Sequence, residues 1–110
     1  MVSMAKFKEI ALSFPEATEH PHFEKTSFRV NKKIFATLNI TGKQGCVKLS
    51  EAEQDVFSLN REVIFPIPNK WGKQGWTFIN LDKVREELLI DALTTSYCHV
   101  APKKLADQLR

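Results

Sequence analysis

The chain has 110 residues, 43% hydrophobic and 26% charged, with a formal net charge of +3. One domain spanning 1–110 can bury about two thirds of its unfolded surface, so it needs no disulfide or metal to fold. Cys46 and Cys98 form no CxxC pair and no apolar run reaches membrane-spanning length, so the expectations are a reducing, cytoplasmic setting, no signal peptide, no membrane partner, no cofactor and a monomer as the default state.

Residues 3–14 read as a helix, with Ser3 as N-cap, an apolar stripe of Phe7, Ile10, Ala11 and Phe14, and Pro15 as stop. The segment PEATEHPHF, with two prolines, reads as a loop. Ser27–Val30 reads as a strand, Asn31-Lys32 as a tight turn and Lys33–Leu38 as the returning strand. A strand over Cys46–Leu49 leads to Ser50, which with Glu53 makes a capping box for a helix over 51–59. Val63–Phe65 is a short strand stopped by PIP, and Trp76–Ile79 another. Asp82 opens the longest helix, 83–99, with Val84, Leu88, Leu89, Ala92 and Leu93 on its apolar face. Pro102 breaks it and starts a short terminal helix. The predicted core contains Phe7, Ile10, Phe35, Val47, Phe57, Phe78, Leu88 and Leu89.

All four glycines fall in two copies of GKQG, at 42–45 and 72–75. In each case the frame is strand, glycine-rich turn, strand, helix. The spacing predicts two hairpins, each reversed by glycines and tipped by a lysine, Lys43 and Lys73. Charge follows the same division. Residues 25–50 and 63–81 hold no acid and together carry +8, and the rest of the chain carries −5. Such polarity suits an anionic partner. The two lysine tips are expected to share one continuous positive surface.

Other motifs exclude more than they assign. Both GxxG copies lead into strands, unlike the clamp of a KH domain, and neither continues to GK[ST] as a phosphate-binding loop requires. His20-Pro21-His22 offers two imidazoles where a metal needs three or four convergent ligands. Trp71 and Trp76 flank the second glycine motif; Trp76, leading a strand, is expected to be buried, while Trp71 is either an anchor or a base-stacking platform. There is no GxSxG, no HExxH and no nucleophile–base pairing, since neighbours Cys98 and His99 point about 100° apart on a helix. No catalytic residue is assigned, and an enzyme is not the favoured class.

The segments KTSFRVNKKIFATL, VKLS, FPIPNKWGKQGWTFINL and VAPKKLADQL, in that order and spacing, resemble the MmcQ/YjbR family of small bacterial proteins over nearly the whole chain, from about Phe7 to Leu109. The resemblance implies an α+β fold with an antiparallel β-sheet, similar to the double wing fold of a phage transcription factor's DNA-binding domain, and with it DNA binding. The two wings correspond to the two ββα hairpin units packed against helices, which are also the basic parts of this chain.

The expected function is therefore nucleic-acid binding, with DNA as partner. Lys32, Lys33, Lys43, Lys48, Lys70 and Lys73 are the candidates for phosphate contacts, and Arg29 and Trp71 for base contacts. Lysines suit phosphates, and Arg29 is the only arginine in the acid-free segments, so the expected sequence preference is weak. Two alternatives stay open: a protein-interaction module for an acidic partner, and a small-molecule or metal-dependent activity near His20 and His22.

Overall fold

The computed structural model describes residues 2–39, 41 and 43–109. Helix α1 spans Met4–Leu12 and starts where Ser3 Oγ accepts the Lys6 N–H at 3.1 Å; Phe7, Ile10 and Ala11 form its buried stripe. Strand β1 (Thr18–His22) follows, within the segment expected to be a loop. Its Pro21 is tolerated because β1 is an outer strand, where one side of the backbone needs no partner. Strands β2 (Lys25–Val30) and β3 (Lys33–Asn39) are joined by Asn31 and Lys32, both at positive φ, 51° and 68°, the pair of left-handed residues that a two-residue type I′ turn requires.

Strand β4 (Gln44–Lys48) already contains Gln44 and Gly45 of the first GKQG, while Gly42 lies outside the described residues. Helix α2 (Glu51–Phe57) carries the expected capping box: Ser50 Oγ accepts the Glu53 N–H at 3.2 Å and Glu53 Oε1 accepts the Ser50 N–H at 2.8 Å. Strand β5 (Ile64–Pro66) is short. The second GKQG is not a turn tip: Gly72 and Lys73 close a one-turn helix, α3 (Lys70–Lys73), that precedes β6 (Trp76–Asn80). Helix α4 runs Glu86–Val100, three residues later than expected. The cause is Asn80, whose side-chain oxygen accepts the Asp82 N–H at 3.0 Å and whose carbonyl accepts the Val84 N–H at 3.0 Å, holding 82–84 in a turn. Helix α5 (Lys103–Ala106) follows Pro102.

The six strands form one sheet in the order β1-β2-β3-β4-β6-β5, with every neighbouring pair antiparallel. Helices α1 and α4 pack on one face. Phe14, Phe35 and Tyr97 form an aromatic cluster there, with Phe14 and Tyr97 stacked at 4.9 Å and Phe35 edge-on to Tyr97 at 5.5 Å. Ser96 ties α4 to the sheet: its hydroxyl donates to Phe35 O at 2.6 Å and accepts the Lys48 N–H at 3.0 Å, bridging β3 and β4 beyond their Ala36–Val47 pair.

Phe7, Ile10, Phe35, Val47 and Leu89 are buried as expected, and Phe57 and Leu88 are half-buried at the margin. Phe78 does not join the core. In β6 the helix-facing residues are Thr77 and Ile79, both fully buried, so Trp76 and Phe78 point to the opposite face. Thr77 is accommodated inside because its hydroxyl donates to Gly75 O and accepts from Gln54 Nε2, each at 3.0 Å.

Candidate nucleic-acid interface

The acids of α1, α2 and α4 lie on the helical layer. Five of the six strands, β2 to β6, belong to the acid-free segments. Residues paired across antiparallel strands share a face, so the register assigns the uncovered face directly. One row runs His20, Ser27, Thr37, Cys46, Phe78 and Phe65. A neighbouring row holds Arg29 with Ile34 on β2–β3 and Lys48 with Trp76 on β4–β6. Arg29 is held flat along it, its Nε donating to Ser27 Oγ at 3.3 Å.

Helix α3 brings the second tryptophan to this face. Asn69 Oδ1 caps it by accepting the Trp71 N–H at 2.8 Å. Gly72 then passes so close to the chain that an added Cβ would lie 1.8 Å from Ile67 O. Gly75, at φ +106°, passes Leu49 so closely that an added Cβ would lie 1.9 Å from Leu49 O. Buried Gln54 of α2 fastens the segment from the helical side, donating to Gly72 O at 2.9 Å and Thr77 Oγ1 at 3.0 Å. The indole of Trp71, 49% exposed, is left beside Trp76, Ile67, Ile34, Thr37 and Cys46. Lysine ammoniums lie over both indoles: Lys48 Nζ is 5.4 Å from the centre of Trp76 and Lys70 Nζ is 5.8 Å from that of Trp71. Trp76 is thus half-buried and part of the open face, where burial was expected.

Of the eight predicted contact residues, seven gather at one end of the sheet. Arg29, Lys32 and Lys33 surround the β2–β3 turn, Lys48 ends β4, and Lys70, Trp71 and Lys73 lie on α3 just before β6. Lys43 does not join them. Its carbonyl accepts the Leu81 N–H at 2.9 Å, beyond the far end of β6. Because β4 and β6 are antiparallel, the two GKQG lysines stand at opposite ends of the strand pair, roughly 15 Å apart along it. The expected continuous surface joining Lys43 to Lys73 is therefore corrected to one basic end and one separate lysine. Among the described residues, none of the seven takes part in an ion pair; the pairs present, such as Lys6–Glu9 and Lys8–Glu19 at 3.3 Å each, belong to the helical side and to β1.

Sequence reasoning missed Lys25, Ile34, Thr37, Cys46 and Ile67, which meet beneath the tryptophans. Period-two alternation in β4 and β6 was the available signal, since it puts Cys46 and Trp76 on the same side once the strands are paired. Burial pushes the Cys46 thiol from 9.0 up to about 11, against the pull of the Lys25 ammonium and hydrogen bonds at Thr77 and Thr37. A neutral, buried thiol is a poor nucleophile. His20 Nε2 lies 3.0 Å from Thr18 Oγ1 on β1, and among the described residues no group of three His, Cys, Asp or Glu is arranged to hold a metal ion.

The model of the YjbR family matches residues 12–99. The chain belongs to the YjbR family. Its fold is that of a Deinococcus radiodurans protein, DR2400, whose crystal structure is described as a DUF419 domain. The two agree with a TM-score of 0.81 at 22% identity, over 99% of this chain and 88% of that one. No curated protein matches the sequence. In this YjbR-family chain the sheet faces are thus unequal, one covered by helices and one carrying Arg29, Lys48 and the tryptophans.

Proposed function

We propose that the protein binds nucleic acid, DNA in the first instance, through the basic end of the open sheet face. The observation that carries this reading is the gathering of Arg29, Lys32, Lys33, Lys48, Lys70 and Lys73 at one end of the sheet, with Lys48 and Lys70 over the two tryptophans and no carboxylate paired to any of the six among the described residues. Lysines on strand ends and on a one-turn helix track phosphates as point charges, and a single arginine tied to Ser27 reads few base edges. Affinity then comes mainly from counterion release and depends weakly on sequence.

The test is fluorescence anisotropy with labelled duplexes of unrelated sequence at about 50 and 200 mM salt. The expected result is similar affinity for all sequences, with a log–log salt slope of about −4.5 if about five phosphates are neutralised. A protein that binds no nucleic acid at low salt is not a nucleic-acid binder, and its basic face is then better matched to an acidic protein.

A further inference from the structure

The open face holds a cleft of about 370 Å³, lined by Lys25, Ile34, Thr37, Cys46, Ile67, Trp71 and Trp76. Phosphate contacts alone make no use of it. Thr37 and Cys46 are paired across β3 and β4 and form its floor, Cys46 being only 6% exposed. The isoleucines and indoles form its sides, and Trp71 is half open to solvent. The cleft lies at the small end of the range for ligand sites, roughly 300–1,000 Å³. It has no room for a helix or a duplex.

Its chemistry narrows the occupant. Flat indole surface favours a planar ring, and an exposed indole at a cleft mouth is a stacking platform. The floor offers a hydroxyl and a thiol that stays protonated, so it presents hydrogen-bonding groups without a negative charge. The cations stand around the cleft: Lys25 on one side, Lys48 and Lys70 beside the indoles. A planar, polar-edged ring attached to negative charge on either side meets all three conditions. A base stacked inside a duplex cannot enter.

Building on the nucleic-acid reading above, we infer that this cleft takes an unpaired nucleobase of a single strand, stacked on Trp71, with the flanking phosphates on Lys25, Lys48 and Lys70. The protein then selects strands with unpaired bases over continuous duplex, and Thr37 and Cys46 meet the edge of the inserted base.

Both tryptophans of the chain line the cleft, so intrinsic emission reports its occupancy and anisotropy of a labelled oligonucleotide reports binding separately. The full chain is titrated with an oligothymidylate of about a dozen nucleotides, an oligouridylate of the same length and a matched duplex. Binding of either single strand with a change in tryptophan emission, tighter than the duplex, is the expected result; the two sugars distinguish DNA from RNA as the source of the base. Trp71→Ala should weaken single-strand binding about tenfold or more, a larger loss than it causes for the duplex, and Trp71→Phe should restore most of the loss. Equal binding of duplex and single strand with unchanged emission, or single-strand binding indifferent to Trp71→Ala, overturns the cleft assignment and leaves the basic-end reading standing. Absence of any binding at low salt overturns both.

Discussion

The two GKQG segments are identical in sequence and different in structure. The first follows β3 after a short reversal, and its Gln44-Gly45 is drawn into the middle of the sheet, with Gly45 paired to Leu38 on one side and Ile79 on the other. The second follows Pro66-Ile67-Pro68-Asn69. The prolines deprive the chain of ladder donors, Asn69 supplies a cap, and residues 70–73 close into a helical turn. What the glycines must accommodate differs accordingly. Gly45 gives way to the ring of Phe7, a side chain, whereas Gly72 and Gly75 give way to backbone carbonyls. Four residues therefore carry little structure of their own; the chain entering them decides.

The strongest way to break this comparison is to add a methyl group to each copy. Gly75→Ala combines a positive φ with a carbonyl at 1.9 Å, and Gly72→Ala meets one at 1.8 Å. Each should cost about 3 kcal/mol or more, a large share of a small domain's stability. Gly45→Ala should cost less, about 1–3 kcal/mol, because the Phe7 ring can shift within the core. Urea midpoints of the three variants check the order, and a Gly45 variant less stable than the other two would reverse the account.

The next effect concerns the residues that follow the copies, Cys46 and Trp76, which share the cleft. The Cys46 proton leaves the unfolded chain near 9 but stays on the native protein until about 11. Between those values the native state binds more protons, so stability falls as pH rises through that window and levels off above it. The loss should approach about 2–3 kcal/mol. Cys46→Ala should remove that decline, and the difference between parent and variant cancels the contribution of Tyr97, whose hydroxyl is also pushed upward, mainly by burial. Parallel pH–stability curves for the two proteins would refute it.

The smallest effect separates the two lysines. Lys70→Gln with Lys73→Gln should weaken binding to all nucleic acids alike, by about tenfold at low salt, and make the salt slope shallower by about two units. Lys43→Gln should leave both unchanged, because it stands at the other end of the strand pair. Equal losses for the two sets in an anisotropy titration would mean that a longer ligand spans both ends.

Much of the fold was legible because local chemistry and tertiary structure agreed. Asn31-Lys32 offers the left-handed pair that a tight hairpin needs, and Ser50 with Glu53 is a reciprocal cap. The failures have common causes. Thr18–His22 looks like a loop because proline and polar residues dominate it, and only its place at the sheet margin makes it a strand. Trp76-Thr77-Phe78-Ile79 was read with its aromatics inward; the faces are reversed because Gln54, 23 residues away from Thr77 in sequence, supplies a buried partner for its hydroxyl. The candidate lysines were visible as an acid-free run. That Lys43 stands apart from the rest, and that a cleft lies between the tryptophans, depends on the order β3-β4-β6, a long-range pairing that no local pattern encodes.

The two outer strands both contain proline: Pro21 within β1 and Pro66 at the end of the three-residue β5. In a sheet, proline fits where its missing N–H faces away from the neighbouring strand. Each margin thus presents a gap in its donor row to solvent, and a strand arriving from another molecule finds no continuous ladder to join. Proline at both margins is one of the ways a sheet blunts its edges against edge-to-edge pairing.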